Sequence, residues 1–200
     1  MNPAGEAQAR KSELRARLLR ARRGLSAQQR LAASEALVTT VLDLPPLATA
    51  RVVAAYVSMG TEPGTRELIE ALRNSGTRVL LPVLLPDNDL DWAVYQGPDA
   101  LERTSRGLLE PTGEHLGPAT VTQAQAVLLP GLAVDGHGVR LGRGGGSYDR
   151  VLARLEEARA HPVLAVVLYA HEVVDAVPRE PHDHLVDAAV TPDGVLRFLR

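Results

Sequence analysis

Cysteine is absent from all 200 residues, which excludes disulfide frameworks, thiolate nucleophiles, iron–sulfur clusters and zinc fingers together. No stretch approaches the roughly 20 apolar residues of a membrane span, and Met1 to Lys11 holds no apolar signal core. A soluble, cytoplasmic protein without a membrane partner is expected. Aromatic residues make up only 3%, so Leu, Val and Ala must fill the core, and Tyr56, Trp92, Tyr95, Tyr148, Tyr169 and Phe198 each matter individually. A charge excess is also missing: 22 Lys and Arg against 24 Asp and Glu leave a net charge of -2, which argues against a surface adapted wholesale to nucleic acid. What is present, 45% hydrophobic and 23% charged residues, is the balance of an ordinary globular chain.

Apolar periodicity predicts a helix from Lys11 to Arg23 carrying Leu14, Leu18 and Leu19, closed by Gly24. Ser26 followed by Gln29 reads as a capping box opening a second helix, with Leu31, Ala32, Leu37, Val38 and Val41 on its apolar face and Pro45 and Pro46 ending it. Val52 to Val57 is a continuous apolar run, as for a strand buried on both faces. Thr65 caps a helix from Arg66 to Ser75, Gly76 ends it, and Val79 to Leu81 forms the next strand, a βαβ unit with parallel pairing. Leu90 to Tyr95 alternates as a half-exposed edge strand, whereas Gly97 to Pro118 lacks periodicity and reads as irregular. Strands follow at Ala126 to Leu129, Val163 to Leu168, Val186 to Val190 and Val195 to Phe198, with a helix from Tyr148 to Arg159. The order predicts a single three-layer α/β domain over residues 1–200 with a mainly parallel sheet, residues 1–44 forming helices that pack on it.

The segment from Leu129 to Asp149 carries the chemistry. It follows a buried strand and precedes a helix, which sets it at the carboxyl edge of a parallel sheet, where ligands bind. Gly142, Gly144, Gly145 and Gly146 let backbone N–H groups approach an oxyanion, the helix start adds its dipole, and Arg140 and Arg143 add forked charge. Together they read as a polyphosphate cradle; a flexible turn with solvated arginines is the competing reading. Asp149 suits either a Mg²⁺ ion accompanying a nucleotide or the helix dipole alone. No Gly-Lys-Ser/Thr occurs, and Ser147 stands where a dinucleotide fingerprint needs its third glycine, so neither standard phosphate loop fits.

Pro130 to Asp149 closely resembles the signature of the 5-formyltetrahydrofolate cyclo-ligase family, also called methenyltetrahydrofolate synthetases. Lys11-x-x-Leu-Arg15, the loop from Met59 to Thr65 with Glu62, and His182-Asp183 followed by Asp187 and Thr191 appear in that family's order. The resemblance implies an α/β fold akin to the ribose-phosphate isomerase and CoA-transferase group. It implies ATP-dependent cyclisation of 5-formyltetrahydrofolate to 5,10-methenyltetrahydrofolate, through a phosphorylated formyl oxygen; a monomer acting on this small molecule is expected. By the same resemblance Lys11, Arg15, Arg140, Gly142, Arg143, Gly144, Gly145, Gly146, Ser147 and Tyr148 bind ATP, with Arg143 and Tyr148 catalytic. Met59, Glu62, Gly64 and Tyr148 line the folate pocket, and Asp149 and Asp187 hold Mg²⁺. Three positions depart from the pattern: Gly64 replaces an acid, Gly145 a Lys, and Ser147 an aromatic residue.

A bland reading stands beside each of these. Eight Lys and Arg against two acids in the first thirty residues also describe a solvated or RNA-contacting basic helix, so a non-catalytic RNA- or nucleotide-binding protein is the alternative. His182 and His184 lack the third ligand of a transition-metal site. Trp92 reads as core or edge packing, and His137, between two glycines, as exposed.

Overall fold

The computed structural model describes residues 3–180 and 183–198. A crossover helix returns the chain to its starting edge, so the strand after it runs the same way. Thus β1 (Val52–Ala54) and β2 (Arg78–Leu84), joined through α4 (Arg66–Asn74), pair in parallel with Val53 opposite Val79. Likewise β6 (Ala126–Pro130) and β9 (Val163–Val167) pair in parallel across α5 (Ser147–Glu157). With β11 (Ala188–Thr191) parallel to β9, and β3 (Leu90–Val94) and β12 (Gly194–Arg197) antiparallel at the edges, the sheet among the described residues runs β12-β11-β9-β6-β1-β2-β3.

Alternate strand residues point to opposite faces, and both faces are covered. Val53, Val79, Leu81, Leu128 and Val167 pack with Leu37 and Val41 of α2 (Ala27–Leu42), Leu47 of α3 (Pro45–Ala48), and Leu68 and Leu72 of α4. Ala54, Leu80, Val127, Leu129 and Val166 pack with Val151, Leu152 and Leu155 of α5. A smaller sheet, β10 (Val173–Val174) with β7 (Ala133–Asp135) and β8 (Arg140–Leu141), carries Ala133 and Leu141, against which Leu18 of α1 (Pro3–Gly24) packs. That contact brings the N-terminal helix to the glycine-rich segment. Among the described residues no helix is long and apolar enough to cross a membrane.

Several expectations need correction. Ser26 and Gln29 do form the capping box of α2, but the buried face is Ala33, Leu37, Thr40 and Val41. Leu31 is 57% exposed and Ala32 is exposed too; Leu31 lies two residues, about 200° around the helix, from the stripe that begins at Ala33. Thr65 precedes α4 without capping it through its side chain. Its hydroxyl instead donates to Tyr56 O at 2.6 Å and accepts from Ser58 N at 2.9 Å, tying down the loop after β1. The edge strand β3 is buried on both faces and Trp92 is fully enclosed, because the 3-10 turn Pro118–Gln123 and α5 cover it. The segment expected to be irregular contains a hairpin, β4 (Leu101–Arg103) with β5 (Leu109–Pro111).

Candidate functional site

The carboxyl ends of β1, β2 and β6 open into a cavity of about 280 Å³. One wall is apolar: Val57, Met59, Pro82, Leu84, Leu90, Leu108 and Leu109. A second stretch of the lining is the segment from Arg140 to Asp149. Two local features shape it. A Cβ on Gly131 would come within 2.6 Å of Val166 Cγ2, so only glycine lets the chain turn this closely over β9. Gly146 immediately precedes α5 at φ 79°, a left-handed conformation that a glycine adopts without strain. Among the described residues no side chain caps that helix, so its first N–H groups are left at the cavity wall.

The arginines are fixed to different depths. Arg140 donates from Nη1 to Pro130 O at 2.9 Å and approaches Asp149 Oδ1 at 3.4 Å. Its side chain is 7% exposed, and burial pulls the guanidinium below its ordinary value while Asp149 opposes that shift. Its Nε is buried with no partner among the described residues. Arg143 is far more open and pairs through Nε with Glu62 Oε1 at 3.2 Å. Glu62 is held in turn by Met59 N, which donates to Oε2 at 2.8 Å. Arg15 reaches across from α1, where its Nε donates to Gly142 O at 2.9 Å. Burial pushes the phenols of Tyr148 and Tyr56 well above their ordinary range, with Glu62 adding to both. Both are therefore neutral hydroxyls near pH 7.

Most sequence-predicted residues converge here: Met59, Glu62, Arg140, Gly142, Arg143, Gly144, Gly145, Gly146, Ser147, Tyr148 and Asp149 line the cavity, and Arg15 backs it. Three do not. Lys11 is buried, with Nζ on Glu180 at 2.6 Å and Asp183 at 2.8 Å. Burial works against its charge, but the bonds to Asp183 and Glu180 outweigh this and hold the ammonium above its ordinary value. Gly64 faces α2 instead, where a Cβ would come within 2.0 Å of Ser34 Oγ. Asp187 accepts from Leu164 N at 2.8 Å and lines a separate cleft with His161 and His184, so it does not share a cavity with Asp149. His137 is exposed, and His182 lies outside the described residues. Among the described residues no group of three or more His, Cys, Asp or Glu gathers as a metal site.

Sequence reasoning missed the hairpin's part of the apolar wall and the frame behind the site. Leu108, Leu109 and Glu110 come from the unrecognised hairpin, whose loop from Thr104 turns at Gly107, φ 79°; a glycine within a short loop between apolar runs is the signal that marks it. Behind the cavity, fully buried Arg22 donates from Nε to Glu172 Oε1 at 2.5 Å, and from Nη2 to Glu172 Oε2 at 2.9 Å and to Gly131 O at 2.6 Å. Tyr169 lies beside it, 5.8 Å from the guanidinium carbon to the ring centre, with its hydroxyl 3.3 Å from the carbonyls of Thr61 and Glu62. This frame ties α1 to both loops of the cavity.

Comparison with known proteins adds a consistent picture. Residues 7–192 match the model of the 5-formyltetrahydrofolate cyclo-ligase family. The chain is 39% identical over 195 residues to a 5-formyltetrahydrofolate cyclo-ligase of Mycolicibacterium smegmatis, covering 95% of this chain and 97% of that one. It is 33% identical over 178 residues to the Escherichia coli protein of the same name, covering 87% and 96%. Among solved structures, the 5,10-methenyltetrahydrofolate synthetase of Aquifex aeolicus superposes with a TM-score of 0.80 at 29% identity, over 95% of this chain and 93% of that one.

Proposed function

This chain belongs to the 5-formyltetrahydrofolate cyclo-ligase family, and from that premise we propose that it cyclises 5-formyltetrahydrofolate to 5,10-methenyltetrahydrofolate, consuming ATP and releasing ADP and phosphate. The observation that carries the reading is the meeting, in one cavity, of a glycine–arginine wall and an apolar wall. The first suits a triphosphate and the second a flat, weakly polar ring. A non-catalytic RNA- or nucleotide-binding role accounts for only the first wall and is not favoured.

The reaction needs that juxtaposition. A formamide oxygen leaves poorly as hydroxide, so the formyl oxygen attacks the γ-phosphorus and the bond to ADP breaks. N10 then adds to the activated carbon, its proton passes to solvent, and the oxygen departs with phosphate as the N5–C double bond forms. Such chemistry asks the protein for alignment and charge neutralisation rather than a covalent nucleophile. Arg143, Arg15 and the N–H groups from Gly142 to Ser147 hold the triphosphate, and the Nε of Arg140, buried without a partner among the described residues, supports the same assignment. Arg143 and Tyr148 border the transferred group, the phenol of Tyr148 acting as a neutral donor. Met59 and Glu62 contact the folate. Lys11 would reach phosphate only by exchanging its two carboxylate partners.

Mg²⁺ bound with the nucleotide would neutralise phosphate charge, and Asp149 would hold it. Asp149 suits it, because its side chain is 70% exposed at the cavity wall and offers a hard oxygen beside the loop. The same reading takes the protein to be a monomer that acts on a small molecule in the cytoplasm. The test is purified protein with both substrates and Mg²⁺, following methenyl absorbance and ADP. ADP and methenyl product should form in equal amounts, and neither when one substrate is omitted; ATP binding without turnover would refute the reading.

A further inference from the structure

Glu110 stands apart in the cavity. It sits on β5, among Pro82, Leu84, Leu90, Leu108 and Leu109, away from the basic loop in sequence and on the apolar wall. Its Oε1 accepts from Leu84 N at 3.0 Å. Glu62, the cavity's other glutamate, is neutralised by Arg143; among the described residues no cation lies within ion-pair distance of Glu110. A carboxylate in an apolar surrounding is costly unless its oxygens are bonded. Glu110 is only partly buried, and among the described residues its Oε2 accepts no hydrogen bond, so that oxygen is available to a donor brought into the cavity.

The chemistry of the folate supplies the complement. The 2-amino-4-oxo edge of a reduced pterin presents two adjacent N–H donors, the exocyclic amine and a ring N–H, on a flat ring that apolar side chains can sandwich. We infer that Glu110 is a specificity-determining residue that reads this donor edge of the pterin while the apolar wall takes its faces. The inference rests on the proposed function, since it assumes a folate in this cavity. It assigns Glu110 to recognition and not to the phosphoryl transfer, which lies with the glycine–arginine segment.

Glu110→Gln separates this role from a structural one. The amide oxygen still accepts from Leu84 N, so the tie between β5 and the end of β2 survives. The amide NH₂ then occupies the position of Oε2 and confronts the pterin donors with a donor. KM for 5-formyltetrahydrofolate should rise roughly ten-fold or more, as for loss of a charge-assisted hydrogen bond, with KM for ATP and the melting temperature unchanged. An unchanged folate KM, or equal rises in both KM values, overturns the assignment.

A ligand-side measurement decides the matter even if the variant does not fold. For the unmodified enzyme, the 2-desamino analogue of 5-formyltetrahydrofolate should show a KM raised by a similar factor; equal KM values for analogue and substrate overturn the proposal. An enzyme that turns over neither compound would instead sink the cyclo-ligase reading itself.

Discussion

Replacing Arg22 by Met keeps most of the stem volume and removes the guanidinium that joins α1 to the back of the cavity. Three hydrogen bonds go with it, two to Glu172 and one to the carbonyl of Gly131. Glu172, itself fully buried, keeps the N–H of Tyr169 at 3.0 Å. Breaking a buried ion pair from one side costs about 3–5 kcal/mol because a charge is left uncompensated. At about 2–4 °C per kcal/mol for a chain of this size, the melting temperature should fall by roughly 6–20 °C. Thermal unfolding followed by circular dichroism measures this. Adding Glu172→Gln removes the stranded charge, so the double variant should recover at least half of the loss. A drop of under about 2 °C for Arg22→Met, or a double variant as unstable as the sum of the two singles, would refute the claim that the pair is a buried, mutually dependent unit.

Other perturbations separate the parts of the site. Arg143→Ala should weaken ATP binding by about 1.5–3 kcal/mol, as for a charged hydrogen bond, which isothermal titration would register as a roughly 10- to 150-fold rise in Kd; unchanged binding removes Arg143 from the phosphate site. Asp149→Asn should move the Mg²⁺ dependence of turnover to higher concentration, and an unaltered titration counts against the carboxylate as ligand. Asp89→Asn tests the brace beneath the cavity: Arg154 bonds Asp89 Oδ2 at 2.6 Å and, with Leu90 N, holds its carboxyl below the ordinary range. Because the folded value is the depressed one, the stabilisation is present above the unfolded value near 4 and lost as pH falls through the folded one. The variant should therefore be about 1 kcal/mol less stable at pH 7, and the gap should close in strong acid; a pH-independent difference contradicts this.

Local signals carry much of the fold. The capping box at Ser26, the βαβ unit around Arg66–Asn74 and the glycine–arginine loop are each written within a few consecutive residues, and each stands where periodicity and turn chemistry put it. What is illegible depends on distance along the chain. Arg22 and Glu172 are 150 residues apart, and nothing near Arg22 distinguishes it from the solvated arginines around it. Trp92 lies in an alternating strand whose polar positions look exposed until the turn from Pro118 covers them. The roles expected of Gly64 and Asp187 come from family order, which carries no information about the direction of a side chain. Glu110 is hidden by the irregular reading of its hairpin, although Gly107 marks the turn.

The central claim is that the formyl oxygen is activated by phosphorylation in the cavity between Arg143 and the apolar wall. It is tested most directly with 5-formyltetrahydrofolate carrying ¹⁸O in the formyl group, turned over with Mg-ATP. Mass analysis of the inorganic phosphate should find the label there, one atom per methenyl product. Label recovered in water, with unlabelled phosphate, would contradict phosphoryl transfer to that oxygen.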